Sequence, residues 1–406
     1  MKRSGTSATA AIEVGTFVGA YYPPFILVRK KGASTMRSSI RALFAFFVAA
    51  FFAFGSLPAI AASGDATVGA VFDISGAAGS YGDGQKNGLQ LGEDYVNKNG
   101  RVHLSFDIED AATQKAQAVN LFQTFTTGGK VVAIVGPTLS SEAFATDPIA
   151  VSAGMPVLGI SNTANGVTAL GPCVFRNSLT EAAVVPHALK AVIARYHVNT
   201  AAIIYGNDDA FTKTDYDVAK AALDADHIKI VSTQTFSKGD VDFQAQLTSI
   251  KAANPDLLFV GALAVEAGHI VADAHTLGIK SHVVGGNGLN SPQVYSLSGG
   301  AADGVVVGAA WAIGAQNPGN IDFVEKYRVR FLKDPDQFAA QAFAAAQIME
   351  NVLTAAKSLT PKDVCDSMKS MKPVNTVLGA FSFTSNRDAS GDGVVLVVKN
   401  GRFIGF

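Results

Sequence analysis

Beyond residue 62 the hydrophobic positions fall into two alternating patterns. Short apolar, β-rich runs occur at Val68–Phe72, Val102–Ile108, Val131–Val135, Ala201–Tyr205, Ile228–Thr233, Leu257–Val260 and Val305–Gly308. Between them, apolar residues recur every three or four positions over Gly84–Asn97, Lys115–Phe125, Ser140–Ser152, Ala182–Tyr196, Thr214–Ala225, Val241–Ala252 and Val265–Leu277. The first pattern predicts strands and the second amphipathic helices. Their strict alternation predicts an α/β fold with parallel sheets covered by helices on both faces. The strands are too many for one compact domain, and no flexible linker divides them, so two lobes with several tight chain crossings are expected. The tail differs. Two consecutive helical segments, Phe338–Leu359 and Pro361–Met371, precede strands at Val394–Lys399 and Arg402–Phe406, with Asn400-Gly401 as the hairpin turn.

The N-terminal region has another pattern. Met36 is followed by Arg37 and Arg41, an apolar run from Ala42 to Phe54, and the small-residue tripeptide Ala59-Ile60-Ala61. Charge, short apolar core and small residues match a secretory signal over 36–61. The run is too short for a spanning helix, which needs about 20 residues, and the competing reading is a buried core helix. No cysteine stands at the expected cut, so a lipoprotein anchor is not expected. The mature protein is expected to be exported to the periplasm, not embedded in the membrane, and monomeric. Residues 1–35, interrupted by Pro23-Pro24, read as an upstream extension or a misassigned start that carries no fold.

Export changes the charge balance. Positions 1–61 hold seven of the 32 Lys/Arg and one of the 33 Asp/Glu, so the remainder carries a net charge of about −7 rather than −1. That balance argues against nucleic-acid binding, which needs a basic footprint. Cys173 and Cys365 are the only cysteines, and export permits a disulfide. Their sequence separation leaves open whether they meet.

Candidate chemistry narrows quickly. Gly82-Asp-Gly84-Gln-Lys-Asn-Gly88 follows a strand and opens a helix, but its G-x-G-x-x-x-G spacing is a weak dinucleotide match. No Walker run and no G-x-S-x-G elbow is present, and the seven histidines are scattered, so neither an enzyme nor a cofactor or metal site is expected. Gly136-Pro-Thr-Leu-Ser140-Ser141-Glu142 is more informative, because it joins a strand to a helix. Its hydroxyls can cap that helix, and the helix start offers backbone N–H groups and a positive dipole end suited to a carboxylate. Gly159-Ile-Ser161-Asn162-Thr163 is the next such junction. Open α/β sheets bind ligands where such loops adjoin.

With these loops in place the chain resembles the type I periplasmic binding proteins of the leucine/isoleucine/valine-binding class, over about residues 66–405. The likeness rests on Ser75-Gly76 and Tyr81-Gly82, Asn97-Lys-Asn-Gly100, Asp110 with Ala118-Val119, Ile134-Val-Gly136-Pro137 with Ser140, and Met155-Pro156 with Ile160-Ser161. It continues through Val174-Phe-Arg176, Asp242-Phe243, Pro255-Asp256, and Gly379 with Gly391-Asp392. The resemblance implies two Rossmann-like lobes joined by three crossings, residues 66–181 with 314–380 and residues 182–313 with 381–406. It further implies a small carboxylate ligand between the lobes, hinge closure, and delivery to the permease subunits of an ABC importer with cytoplasmic ATPases. A sensor subunit read by a receptor is the alternative.

Carried over by position, the resemblance makes Tyr81 the aromatic of the opening loop and Ser140, with Ser141, the carboxylate site. Ser161, Asn162 and Thr163 become loop anchors, Glu181 the acid near the first crossover, and Phe211 and Phe338 cleft aromatics. Leu263 replaces a further aromatic. Asn287 stands where the family has the acid that neutralises a ligand ammonium. An unpaired buried ion is costly, so either Glu181 alone holds an ammonium or the ligand has none. With the pocket also made more apolar, the expectation leans toward an apolar or aromatic carboxylate over a branched-chain amino acid.

Overall fold

In the computed structural model, which describes residues 64–406 apart from Asn99, the strand–helix alternation closes into two sheets. The expected signal segment and upstream extension lie outside the described residues. The first half of the chain runs β1 (Gly64–Phe72), α1 (Gly79–Val96), β2 (Val102–Asp110), α2 (Lys115–Thr127), β3 (Ile134–Val135), α3 (Ser140–Ser152), β4 (Val157–Gly159), β5 (Val174–Arg176) and α4 (Glu181–Tyr196). It continues with β6 (Thr200–Gly206), α5 (Ala210–Ala225), β7 (Lys229–Phe236), α6 (Gln244–Ala253), β8 (Leu257–Gly261), α7 (Ala264–Thr276), β9 (His282–Gly285), α8 (Pro292–Ser298) and β10 (Val306–Ala309). The tail is α9 (Pro318–Phe331), α10 (Gln337–Ala355), α11 (Pro361–Lys369), β11 (Val374–Thr376), β12 (Gly379–Phe381), β13 (Val394–Lys399) and β14 (Arg402–Gly405).

The first sheet has the order β2-β1-β3-β4-β5, all parallel. Period-two alternation along β1 sorts its side chains to two cores. Val68, Ala70 and Phe72 pack toward Leu89 of α1 and Ala342, Ile348 and Met349 of α10. Val71 packs on the other face with Phe122, Phe125 and Ala150 of α2 and α3. Burial on both faces is why the run reads as nearly continuous apolar sequence. The second sheet has the order β14-β13-β10-β9-β8-β6-β7. Leu247 and Ile270 of α6 and α7 cover one face, and Val184, Leu189 and Leu223 of α4 and α5 the other. The β13–β14 hairpin joins this sheet antiparallel to β10, with positive φ at Asn400 and Gly401 as a tight hairpin turn requires.

Three crossings link the lobes: after β5, after β10, and between β12 and β13. Phe381 and Phe383 pack in the first core, and Arg387 donates to the carbonyls of Val174 and Thr168. Asp388 pairs with Arg176 at 2.6 Å. Contacts to the first lobe therefore continue to about Ala389, which borders the cores of both lobes. Cys173 and Cys365 form a disulfide with Cα atoms 5.6 Å apart, tying α11 to the start of β5 within the first lobe.

The Gly82–Gly88 run lies inside α1, which begins earlier than its apolar periodicity suggested. Its glycines are contact points. A Cβ at Gly82 would lie 1.9 Å from the Asp73 carbonyl oxygen, and one at Gly88 2.1 Å from that of Ala339. The spacing that mimics a dinucleotide fingerprint lets α1 press against the end of β1 and against α10. The α9 helix was absent from the hydrophobic reading, although Asn317-Pro318 is a strong start signal and Asn317 caps it.

Candidate ligand cleft

Where the carboxyl ends of β1, β3 and β4 face the loops of the second lobe, the two lobes meet around a cavity. It holds about 350 Å³ of space not filled by atoms, open mouth included. Eight of the eleven residues expected from sequence line it: Tyr81, Ser140, Ser161 and Thr163 with Phe211, Leu263, Asn287 and Phe338. Thr138, Leu139, Asp209 and Gly288 complete the wall.

Three expected residues stand off the cavity. Ser141 is half-buried in the first turn of α3. Asn162 is fully buried and fastens two loops, its amide donating to the Pro137 carbonyl at 2.9 Å while its own carbonyl accepts from Arg176 at 2.8 Å. Glu181 lies behind Asn287, whose Nδ2 donates to Oε1 at 2.8 Å and whose backbone N–H donates to Oε2 at 3.2 Å.

The first-lobe wall is built from the β3–α3 loop. Ser140 starts α3, and its Oγ accepts from the Ala164 N–H at 3.2 Å. The first-turn N–H groups of a helix have no partner within it, so this end of the cavity favours an anionic group. Ser161 is already engaged, donating to the Thr138 carbonyl at 2.6 Å and accepting from Gln85 at 2.7 Å. Thr138 in turn donates to Gln85 at 2.6 Å and accepts from the Asp73 N–H at 2.9 Å. Thr163 differs: among the described residues its buried hydroxyl has no partner in good geometry.

Tyr81 spans the cleft. From α1 it donates its hydroxyl proton to the Gly288 carbonyl at 2.8 Å and accepts from the Ala264 N–H, at the start of α7, at 2.6 Å. Its ring packs on Phe338 with centroids 4.5 Å apart. Burial raises its pKa far above the normal tyrosine value, which keeps it a donor. Gln337 makes a second bridge, donating to Asn287 Oδ1 at 2.8 Å and accepting from Asn290 at 2.9 Å. The Asn165 N–H donates to Thr214 Oγ1 across the cleft at 3.2 Å.

Asp209 is the acid the sequence reading missed. It caps α5, with Oδ1 accepting from the N–H groups of Phe211 at 2.8 Å and Thr212 at 3.3 Å. Among the described residues no hydrogen bond reaches Oδ2. The run Asn207-Asp208-Asp209 ahead of an apolar-periodic helix is a legible cap signal, but only the fold shows that this cap faces the cavity.

Two buried carboxyl pairs flank the cleft. On the first lobe, burial pushes Asp73 up to about 6 and Glu142 up to about 8, the latter helped by the Asp73 charge, while Lys238 of the second lobe pulls both down. On the second lobe, Glu181 is raised by burial against its hydrogen bonds, and Asp215 is raised by burial and by the charge of Glu181.

Comparisons with known proteins bear on the family and the fold. The model of the family described as "Periplasmic binding protein" matches residues 65–402. The "Leu/Ile/Val-binding protein BraC3" of Rhizobium johnstonii is 25% identical over 332 residues, covering 80% of this chain and 89% of the relative. A leucine-, isoleucine-, valine-, threonine- and alanine-binding protein of Pseudomonas aeruginosa is 25% identical over 319 residues, covering 78% and 84%. Among solved structures, the branched-chain amino acid transporter substrate-binding protein LivJ of Streptococcus pneumoniae, in complex with isoleucine, superposes with a TM-score of 0.78. It is 25% identical, with 84% of this chain and 97% of that one covered. These proteins are solute binders rather than enzymes. Among the described residues no helix is long and apolar enough to cross a membrane, and the family places its members in the periplasm or outside the cell. The chain belongs to the periplasmic binding protein family, in its type I Leu/Ile/Val-binding class.

Proposed function

We propose that this protein is the solute-binding component of an ABC importer, that it takes a small apolar α-amino acid between its lobes by hinge closure, and that it delivers the ligand to membrane permease subunits. One observation carries the ligand class. The cavity is lined by a helix start with Ser140, by the Asp209 carboxylate, and by Tyr81, Leu139, Phe211, Leu263 and Phe338. A carboxylate suits the helix start and an ammonium the aspartate, with an apolar side chain against the rings. Asp209 thereby changes the balance struck from Asn287 alone, because the second lobe does present an acid to the cavity. The relatives' names, which include leucine, isoleucine and valine, point the same way.

Asn287 favours a second reading, an apolar or aromatic carboxylate with no ammonium. Ligand-induced melting shifts against a panel of amino acids and aromatic acids separate the two. A ligand at 100 times its dissociation constant adds about 2.7 kcal/mol to the folded state. The proposal expects that shift from aliphatic amino acids. Stabilisation by aromatic acids alone would overturn it.

A further inference from the structure

We propose that Glu181 and Asp215 share one proton and act as a charge reserve for the cleft. A ligand ammonium entering beside Asn287 expels that proton, so Asp215 helps select solutes that carry an ammonium. The inference rests on the amino-acid reading above.

Both carboxyls are 0% exposed. They meet at Gly286, where a Cβ would lie 2.1 Å from Glu181 Oε2 and 2.8 Å from Asp215 Oδ1. Both oxygens of Glu181 accept from Asn287, whereas among the described residues no N–H or hydroxyl donor reaches either oxygen of Asp215, which lies against the Glu181 carboxyl instead. Every element packed on the pair brings a neutral or acidic group. The α5 helix brings Asp215 and, at its cap, Asp209; the Gly286–Asn287 turn brings the amide. The first lobe brings the Thr163 hydroxyl, buried, on the cavity wall and without a well-formed hydrogen bond among the described residues. The Tyr81 hydroxyl lies in the field of Asp215, Asp209 and Glu266.

Two neighbouring buried carboxyls with no cation cannot both ionise cheaply, so they hold one proton between them. A ligand ammonium supplies the missing cation one side chain away. The shared proton then leaves to solvent, the pair goes from one negative charge to two, and the ligand balances the second. A carboxylate at the start of α3 acts with opposite sign on Asp73 and Glu142, favouring proton uptake. Comparison with Asp215→Asn isolates the second-lobe pair.

The test is calorimetric titration of leucine at pH 7 in buffers of different ionisation enthalpy, with wild type and Asp215→Asn. Wild type should release more protons per leucine than the variant, by a large fraction of one. Its apparent affinity should rise with pH more steeply, approaching tenfold per pH unit for a whole proton. Equal proton counts in the two proteins would overturn the inference and leave the amino-acid reading standing. Should the variant fail to fold, wild type is titrated with leucine and with 4-methylpentanoate, which shares its carboxylate and side chain but lacks the ammonium. Equal proton counts for these two would again overturn the inference. Binding of 4-methylpentanoate with none of leucine would overturn the amino-acid reading and the inference together.

Discussion

Each wall of the cleft carries a buried carboxyl pair, but the first-lobe pair has backbone donors and a lysine nearby, whereas Asp215 of the second has neither. Asp73, Thr138, Gln85 and Ser161 form a continuous chain of hydrogen bonds. The first-lobe carboxyls, Asp73 and Glu142, accept from the backbone N–H groups of Thr113 and Leu139, each leaving one oxygen unpaired, with the charge of Lys238 nearby. Across the cleft, among the described residues, no N–H or hydroxyl donor reaches Asp215, which faces only the Glu181 carboxyl, and Asp209 keeps an oxygen in reserve. Buried polar groups are normally satisfied, so the less satisfied side is where a ligand's donors have most to gain. On the proposed amino-acid reading, the first lobe supplies the helix start for a carboxylate and the second the acids for an ammonium.

The lobes also differ in covalent support, and this gives the largest expected effect. The disulfide closes a loop with a sequence separation of 192, entirely through first-lobe partners. Cys365→Ser should lower unfolding free energy by roughly 2–5 kcal/mol, read by denaturant melts with and without reductant. A loss below 1 kcal/mol would show that the first lobe holds its tail by packing alone.

Next come the two cleft hydroxyls. Tyr81→Phe leaves the Gly288 carbonyl and Ala264 N–H unpaired across the closed cleft, at a cost of about 1–3 kcal/mol. Ser140→Ala removes a charge-assisted bond to a ligand carboxylate, worth about 1.5–3 kcal/mol of binding. Small-angle scattering separates them. Tyr81→Phe should shift the ligand-free ensemble toward open lobes, and Ser140→Ala should not. If leucine affinity is unchanged in Ser140→Ala, the loop is only a helix start.

A subtler difference lies in pH dependence. Asp73 and Glu142 titrate near 6 and 8 in the folded protein and near 4 when unfolded. Between these values the folded state binds more protons, so stability falls as pH rises from about 4 to about 8. Glu142→Gln should flatten that decline in thermal melts. An unchanged slope would place the titration elsewhere, with Glu181 and Asp215 as the next groups to test. Asn287→Asp carries the smallest expected effect for an amino acid. Leucine binding should be neutral or mildly stronger, because the added acid faces an ammonium, while a carboxylate without one should bind several kcal/mol more weakly through desolvation and repulsion.

Much of this was legible in the sequence, because the relevant signals are local. Strand–helix alternation, the strand-to-helix loop ending at Ser140 and the Asn400-Gly401 hairpin depend on neighbouring residues. What was not legible depends on distant ones. Asp209 reads as a helix cap until the cavity is seen, and Asp215 gains meaning only when Gly286 brings it against Glu181. Asn162 looked like a ligand anchor because it sits between two that line the cavity, yet its amide turns inward to Pro137. The glycines of α1 carried a phosphate-like spacing for a packing reason visible only once α10 lies beside them.

The amino-acid reading requires the cleft to bind an ammonium as well as a carboxylate. Paired titrations of wild type with leucine and with 4-methylpentanoate isolate that requirement, since the two ligands differ only in that group. A hydrogen-bonded ion pair in the closed cleft predicts that leucine binds at least about tenfold to a hundredfold more tightly, the equivalent of about 1.5–3 kcal/mol. Equal or tighter binding of 4-methylpentanoate would contradict it and return the choice of ligand to the neutral amide of Asn287.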